Sequence, residues 1–127
     1  MENLDIEKTK FSLHIHCDVT TGVCEMTGSS YPENAFEFFT PVLLWMERYI
    51  AEIKGPFMLE LKLEYLNTSS SKCILDLFKT LEDYALQGGA VKVTWYYEED
   101  DEDMMETGEE FLEDLKLPFE LKVLEAL

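Results

Sequence analysis

One stretch of the chain, residues 59–76, constrains the fold more than any other. Its first half alternates apolar and polar residues, as a half-buried strand does, and its last part spaces apolar residues three and four apart, as a helix does. Only a short polar turn, Asn67–Ser71, joins the two halves. Because a strand that leads directly into a helix is the start of a strand–helix–strand unit, this stretch predicts an α/β fold with parallel strands.

The rest of the chain supports the same architecture. The predicted order is β-β-α-β-α-β-α-β, with an antiparallel hairpin first and mostly parallel strands after it, in a mixed sheet with helices packed on it. We predict strands at about 11–17, 23–28, 57–66, 90–97 and 119–124, and helices ending near 54, 86 and 115. All of this belongs to one domain, residues 1–127, in which residues 1–9 are frayed or lightly docked.

The first helix carries two local signals. Ser30 and Glu33 have the spacing of a capping box at its start. Pro41 either kinks this helix or marks a restart with Thr40 as the cap, and we predict one long helix that ends near Lys54. Its apolar stripe is predicted from residues at helical spacing, namely Phe36, Phe39, Leu43, Met46, Ile50 and Ile53.

Charge and cysteine content narrow the class of protein. Ten basic residues against 27 acidic ones give a formal charge of −17, which argues against nucleic acid and anionic membrane surfaces as partners. The N-terminal segment does not resemble a secretory signal, and the apolar runs are too short to span a bilayer, so we expect a cytoplasmic protein without membrane insertion. In that compartment Cys17, Cys24 and Cys73 are expected to be reduced thiols.

The polar turn Asn67–Ser71 is the strongest candidate site. A helix N-terminus has unpaired backbone N–H groups and the positive end of the helix dipole, so it favours anions such as phosphate. The residues alone leave two interpretations open. In the first, Thr68, Ser69 or Ser70 only caps the helix. In the second, one of these hydroxyls is a regulatory phosphorylation site.

Other polar groups give weaker indications. His14 and His16 share one strand face and Cys17 the other, so a metal site is not predicted. Ser29 or Ser30 could serve as a nucleophile with one of these histidines as base, but the motif of a hydrolase is missing. The acidic run Glu98–Asp103 is interpreted as the solvated start of a helix rather than a cation site. We therefore predict no cofactor and no catalytic residue.

Two motifs carry a resemblance to a known family. SYPEN at residues 30–34 and YLNTSS at residues 65–70, in this order and spacing, resemble the SiaC family of bacterial biofilm-regulation phosphoproteins, and the similarity runs nearly end to end. The resemblance implies a STAS-like fold, as in anti-sigma-factor antagonists, and a non-catalytic regulatory role. It places the family's phosphothreonine on Thr68.

The resemblance also implies partners. A SiaB-like protein kinase phosphorylates the threonine, and a SiaA-like phosphatase of the PP2C type removes the phosphate. The unphosphorylated form binds and activates a SiaD-like diguanylate cyclase, which raises cyclic di-GMP. Residues that match the two motifs around Thr68 are expected to line the kinase and partner interfaces: Asn67, Ser69, Ser70, Tyr31, Pro32, Glu33 and Asn34.

Two alternatives remain at this point. One is a STAS-like anti-sigma-factor antagonist in a partner-switching circuit, which has the same mechanism and a different partner. The other is a small hydrolase with a serine or threonine nucleophile, which would turn over a substrate.

Overall fold

A computed structural model of the chain describes residues 1–124. The prediction of one domain over 1–127 therefore includes three residues outside the described part. The elements are β1 (Leu4–Ile6), β2 (His14–Cys17), β3 (Val23–Ser30), α1 (Ala35–Glu52), β4 (Phe57–Leu66), α2 (Thr68–Leu86), β5 (Val91–Glu98), α3 (Glu102–Asp114) and β6 (Phe119–Leu124).

The strands form one mixed sheet in which neighbours follow the order of the chain, β1-β2-β3-β4-β5-β6. The β1–β2 and β2–β3 pairs are antiparallel, whereas β3–β4, β4–β5 and β5–β6 are parallel. The α/β class, the initial hairpin and the parallel strands after it are thus confirmed.

All three helices lie on one face of this sheet. Each parallel connection passes through a helix and steps in the same direction across the sheet, and right-handed crossovers of this kind share a face. The alternation along β4 agrees, because Leu59 and Leu61 are fully buried while Glu60 and Lys62 on the other face are half-buried. The core therefore lies between the sheet and the helices.

The first strand was not predicted. Residues 4–6 lie where we expected a frayed or lightly docked segment, and they pair with β2 as a strand. Two further hydrogen bonds hold this segment down: the Trp45 indole donates to the Glu2 carbonyl at 2.8 Å, and the Val19 amide donates to the Asn3 side chain at 2.8 Å. A strand of three residues is too short for its sequence pattern to reveal it.

The prediction of three reduced thiols was wrong for two of the cysteines. Cys17 and Cys24 are directly opposite each other in the β2–β3 register, with Cα atoms 4.0 Å apart, and the structure joins them in a disulfide. Both side chains are fully buried on the helix-covered face. Cys73, on α2, is a free thiol.

Helix α1 is continuous through Pro41, as predicted, and two details differ. The N-cap is Asn34, whose side chain accepts from the Glu37 amide, because Ser30 belongs to strand β3. The buried stripe is rotated from the predicted one, so that Phe36 and Ile53 are exposed. The residues of α1 that are buried are Ala35, Phe39, Val42, Trp45, Met46 and Tyr49.

The acidic run Glu98–Asp103 leads into helix α3, as we expected. Asp101 is the N-cap and accepts from the Met104 amide at 3.1 Å, and Glu102 and Asp103 occupy the first turn. Carboxylates there interact favourably with the helix dipole. No helix within residues 1–124 is long and apolar enough to cross a membrane.

Candidate functional site: the start of helix α2

The two sequence motifs meet at one end of the sheet, where strands β3 and β4 finish. Strands β3 and β4 are parallel, and near their carboxyl ends Ser29 pairs with Tyr65 and Ser30 with Leu66. The chain leaves β3 through Tyr31 and leaves β4 through Asn67, so the SYPEN and YLNTSS segments lie side by side. Parallel pairing is the reason that two motifs far apart in sequence form one site.

Asn67 holds this site together. Its side-chain oxygen accepts from the Ser70 amide at 2.8 Å, which makes it the N-cap of α2. Its side-chain amide donates to the Pro32 carbonyl at 3.0 Å, and its backbone N–H donates to the Ser30 carbonyl at 3.1 Å. One residue therefore caps the helix and fixes the SYPEN segment against it. The cap interpretation of Thr68, Ser69 or Ser70 was wrong, because Asn67 performs that role.

A second contact joins the motifs inside the protein. The hydroxyl oxygens of Ser30 and Ser70 are 2.7 Å apart, and both side chains are fully buried. A buried hydroxyl needs a hydrogen-bond partner, and each of these supplies the partner of the other. Ser70 therefore links α2 to β3 inside the protein, and its side chain is not exposed to another protein.

Thr68 is the first residue of α2 and is exposed. Ser69 beside it is half-buried. The capping oxygen comes from Asn67, so the Thr68 hydroxyl is not required for the start of the helix. Of the SYPEN residues that we expected at an interface, Glu33 and Asn34 are exposed and Pro32 is half-buried.

An aromatic cluster lies beside these residues. The rings of Tyr31 and Tyr65 are stacked at 4.7 Å, and Phe11 meets Tyr31 edge-on at 6.4 Å. The Tyr31 amide donates to the Phe11 carbonyl at 2.8 Å. All three side chains are exposed. Phe11 and Tyr65 were not predicted as site residues. In the sequence each belongs to the apolar row of an alternating strand pattern, which predicts burial, whereas both side chains are exposed in the structure.

The remaining candidates lie elsewhere. His14 and His16 face Asp5 across the β1–β2 pair, at 3.3 and 3.5 Å from its carboxylate oxygens. Ser30, which with Ser29 was considered as a nucleophile, has Ser70 rather than a histidine beside its hydroxyl. In the described part of the chain, no three His, Cys, Asp or Glu side chains are placed to hold a metal ion.

Comparison with known proteins shows which family the chain belongs to. Residues 6–124 match the sequence profile of the SiaC family regulatory phosphoprotein. The chain belongs to the SiaC family. An uncharacterized protein of Pseudomonas aeruginosa (strain UCBPP-PA14) is 39% identical to this SiaC-family chain over 122 residues, which are 96% of this chain and 97% of the relative.

Solved structures of the family have the same fold. SiaC of Pseudomonas aeruginosa superposes with a TM-score of 0.91 at 37% identity, over 98% of this chain and 100% of that one. A second match, with a TM-score of 0.92 at 39% identity and coverages of 95% and 99%, comes from the crystal structure of the diguanylate cyclase SiaD in complex with its activator SiaC. The STAS-like label stays a prediction.

Proposed function

We propose that this SiaC-family protein is a non-catalytic regulator that binds and activates a diguanylate cyclase when it is unphosphorylated. Phosphorylation of Thr68 by a SiaB-like kinase ends the interaction, and a SiaA-like phosphatase of the PP2C type restores it. The cyclase part of this proposal is supported by the likeness to SiaC, which activates SiaD in Pseudomonas aeruginosa.

The position of Thr68 is the observation that carries the assignment of the switch. It is exposed at the first position of α2, while Asn67 supplies the cap from the preceding position. A phosphate of about −1.5 to −2 charges on Thr68 would lie at the positive end of the helix dipole. The fold therefore tolerates both forms of the residue, and the difference between them is presented to a partner.

A hydrolase is less well supported. The buried Ser30 and Ser70 hydroxyls contact each other, and the two histidines are engaged with Asp5 at the β1–β2 edge. A nucleophile needs a base within hydrogen-bond distance, and the hydroxyl of Ser30, one of the two serines considered as nucleophile, has Ser70 beside it instead of a histidine.

Phosphorylation mapping tests the assignment directly. The protein is incubated with a SiaB-like kinase and ATP, and the modified residue is identified by mass spectrometry in the wild type, Thr68→Ala and Ser69→Ala. We expect phosphate on Thr68, complete loss in Thr68→Ala and no loss in Ser69→Ala. Phosphate on Ser69 alone would contradict the residue assignment while leaving the mechanism standing.

A cyclase assay tests the sign of the switch. Purified SiaD of Pseudomonas aeruginosa is supplied with GTP, and cyclic di-GMP is measured with added wild type, phosphorylated protein or Thr68→Glu. Unmodified protein is expected to raise the rate, and the other two to leave it near the basal level. Equal activation by all three would refute gating at Thr68. A pull-down in which an anti-sigma factor is retained in place of the cyclase would favour the antagonist alternative.

A further inference from the structure

We infer that two copies of this chain pair along strand β6, edge to edge and antiparallel, so that one sheet runs through both copies. The inference does not depend on the proposed switch, because β6 lies two strands away from β4, the strand that leads to Thr68. Within residues 1–124, β6 pairs with β5 on one side and is the last strand of the sheet on the other. An edge strand keeps a row of backbone N–H and C=O groups to which a further strand can bind.

The outward backbone groups of β6 belong to Phe119, Leu121 and Val123. The Val93 amide donates to the Pro118 carbonyl at 2.9 Å, and Val93 lies opposite Phe119 in the parallel register. In a parallel pair each residue bonds to the two neighbours of the residue opposite it, so every second residue counted from Pro118 faces β5. The three residues between them direct both their N–H and their C=O away from the sheet.

Contacts with the core fix this edge in place. The Phe119 ring packs edge-on against Phe78 at 5.5 Å, and Leu121 lies beneath Gly108 of α3, where an added Cβ would come within 2.6 Å of the Leu121 side chain. Strand β6 has six residues and no shift in its register with β5. Natural edges are often blunted by very short strands, proline or bulges, and β6 has none of these from Phe119 to Leu124.

The sequence of β6, FELKVL, is self-complementary in one antiparallel register. When Leu121 lies opposite Leu121 of the second copy, Phe119 lies opposite Val123 and Glu120 lies opposite Lys122. The outward residues then face one another, so each of their N–H groups meets a carbonyl of the second copy. The two neighbouring registers place Glu120 opposite Glu120 or Lys122 opposite Lys122, and like charges directly opposite each other are destabilising.

Apolar side chains also favour a second copy as the occupant. Val123 lies on the helix-covered face with Phe119 and Leu121, and it is 44% exposed. In the register centred on Leu121, Phe119 of the second copy lies opposite Val123 and covers it. Pairs of an aromatic and a β-branched residue across two antiparallel strands are stabilising. The strand that suits this edge therefore has the apolar and charged pattern of β6 itself.

Helix α3 makes the association dependent on salt. The two-fold axis is perpendicular to the sheet, so the helices of both copies lie on the same face of the extended sheet. More than half of the 13 residues of α3 are acidic and none is basic, and α3 packs on β5 and β6. Each chain also carries a formal charge of −17. Salt screens the repulsion between the copies, so we expect dimerisation to increase with ionic strength.

Charge reversal tests the register. Lys122→Glu leaves two pairs of carboxylates facing each other across the interface, and Glu120→Lys leaves two pairs of ammonium groups. By sedimentation velocity at a series of protein concentrations and salt concentrations, each single variant is expected to dimerise at least about tenfold more weakly than wild type. An equal mixture of the two variants is expected to recover the association of wild type, because every such pair is then a lysine opposite a glutamate.

Two further variants serve as controls. Lys79→Glu, at an exposed position of α2, changes the net charge as Lys122→Glu does, and it is expected to dimerise within about twofold of wild type, because a distant charge is screened. Val123→Pro removes an outward N–H and leaves the bonds to β5 intact, so it is expected to abolish dimerisation while the fold is kept. Thermal melting of each variant reports the fold, and in Glu120→Lys it also reports the loss of the ion pair with Lys92, 3.1 Å away.

The outcomes decide the inference without a cyclase or a kinase. A wild-type dimer that weakens in both charge variants, returns in their mixture and is lost in Val123→Pro supports pairing along β6. Wild type that stays monomeric at every protein and salt concentration overturns it, and the edge is then free for a strand of another protein. The inference is also wrong if Lys122→Glu dimerises as wild type does, if the mixture does not recover, or if Lys79→Glu loses as much as Lys122→Glu.

Discussion

The two strand-to-helix joints beside Thr68 each have an asparagine as the helix N-cap, but the two asparagines make different contacts. At the β3–α1 joint, Asn34 caps the helix through the Glu37 amide at 3.3 Å, and its own amide donates to the Glu37 carboxylate at 3.1 Å. At the β4–α2 joint, Asn67 caps through the Ser70 amide at 2.8 Å, but its amide donates to the Pro32 carbonyl of the other joint. The first set of contacts is local and exposed, and the second spans two motifs.

This difference shows how the residue that we propose to be phosphorylated, Thr68, can be exposed without destabilising the fold. Two residues fix the first turn of α2 to the rest of the protein. Asn67 donates a hydrogen bond to Pro32 of the SYPEN segment, and Ser70 makes a buried contact with Ser30. Thr68 then projects from a turn that is already held in place. The β3–α1 joint has no such long-range support from its cap, because within residues 1–124 the side-chain hydrogen bonds of Asn34 go to Glu37 of its own helix.

The largest predicted effect is on Asn67. Replacing Asn67 with alanine removes the cap and leaves the Pro32 carbonyl without its donor, so we expect a loss of about 2–3 kcal/mol in the free energy of unfolding. Asn34→Ala, the matched variant at the other joint, is expected to lose about 1 kcal/mol, because only a local cap is removed. Urea titration followed by circular dichroism measures both.

A third variant separates the two functions of Asn67. Aspartate is as good an N-cap as asparagine, but it cannot donate to the Pro32 carbonyl, so Asn67→Asp is expected to lose about 1–2 kcal/mol, less than Asn67→Ala. Equal losses in Asn67→Ala and Asn34→Ala would show that the contact to Pro32 contributes little and that the two joints do not differ.

The next effect concerns the buried hydroxyl pair. Ser30→Ala or Ser70→Ala leaves the other hydroxyl buried without this partner, and we expect each to cost about 1–3 kcal/mol. The double variant removes both polar groups, so its loss is expected to be smaller than the sum of the single losses by about 0.5 kcal/mol or more. Unfolding measurements on the four proteins of the cycle provide the coupling, and strict additivity would show that the two serines do not stabilise each other.

The sequence predicted those parts of the fold that depend on long periodic segments. The bounds of β4 and β6 agree with the pattern at both ends, because Leu59, Leu61 and Leu63 alternate with polar residues and Pro118 marks the start of β6. The three-residue β1 was missed because only its pairing with β2 makes it a strand. The Cys17–Cys24 disulfide was missed although the hairpin was predicted, because the thiols were assigned from the expected compartment and not from the register across the hairpin.

For the candidate site, the sequence predicted the position but not the contacts between its side chains. Local pattern and family resemblance selected Thr68 and its neighbours. Neither could show that Asn67 rather than a hydroxyl caps α2, that Ser70 is buried against Ser30, or that Phe36 is exposed. The Asn67 cap is a local contact, and the run of capping residues from Asn67 to Ser70 left open which of them makes it. The Ser30–Ser70 contact depends on the parallel pairing of β3 and β4, which brings together side chains 40 residues apart. No spacing rule within one helix or strand contains that information.

The smallest predicted effect is on the residue with the largest proposed role. Thr68 is exposed and Asn67 holds the cap, so Thr68→Ala is expected to change the free energy of unfolding by about 0.5 kcal/mol or less. The same variant is expected to lose phosphorylation completely and to keep binding SiaD. A loss above about 1 kcal/mol would indicate that the Thr68 hydroxyl supports the helix start after all, and the division of labour between Asn67 and Thr68 would then be wrong. Because stability and phosphorylation are measured on the same variant, a fold defect cannot be mistaken for a lost phosphorylation site.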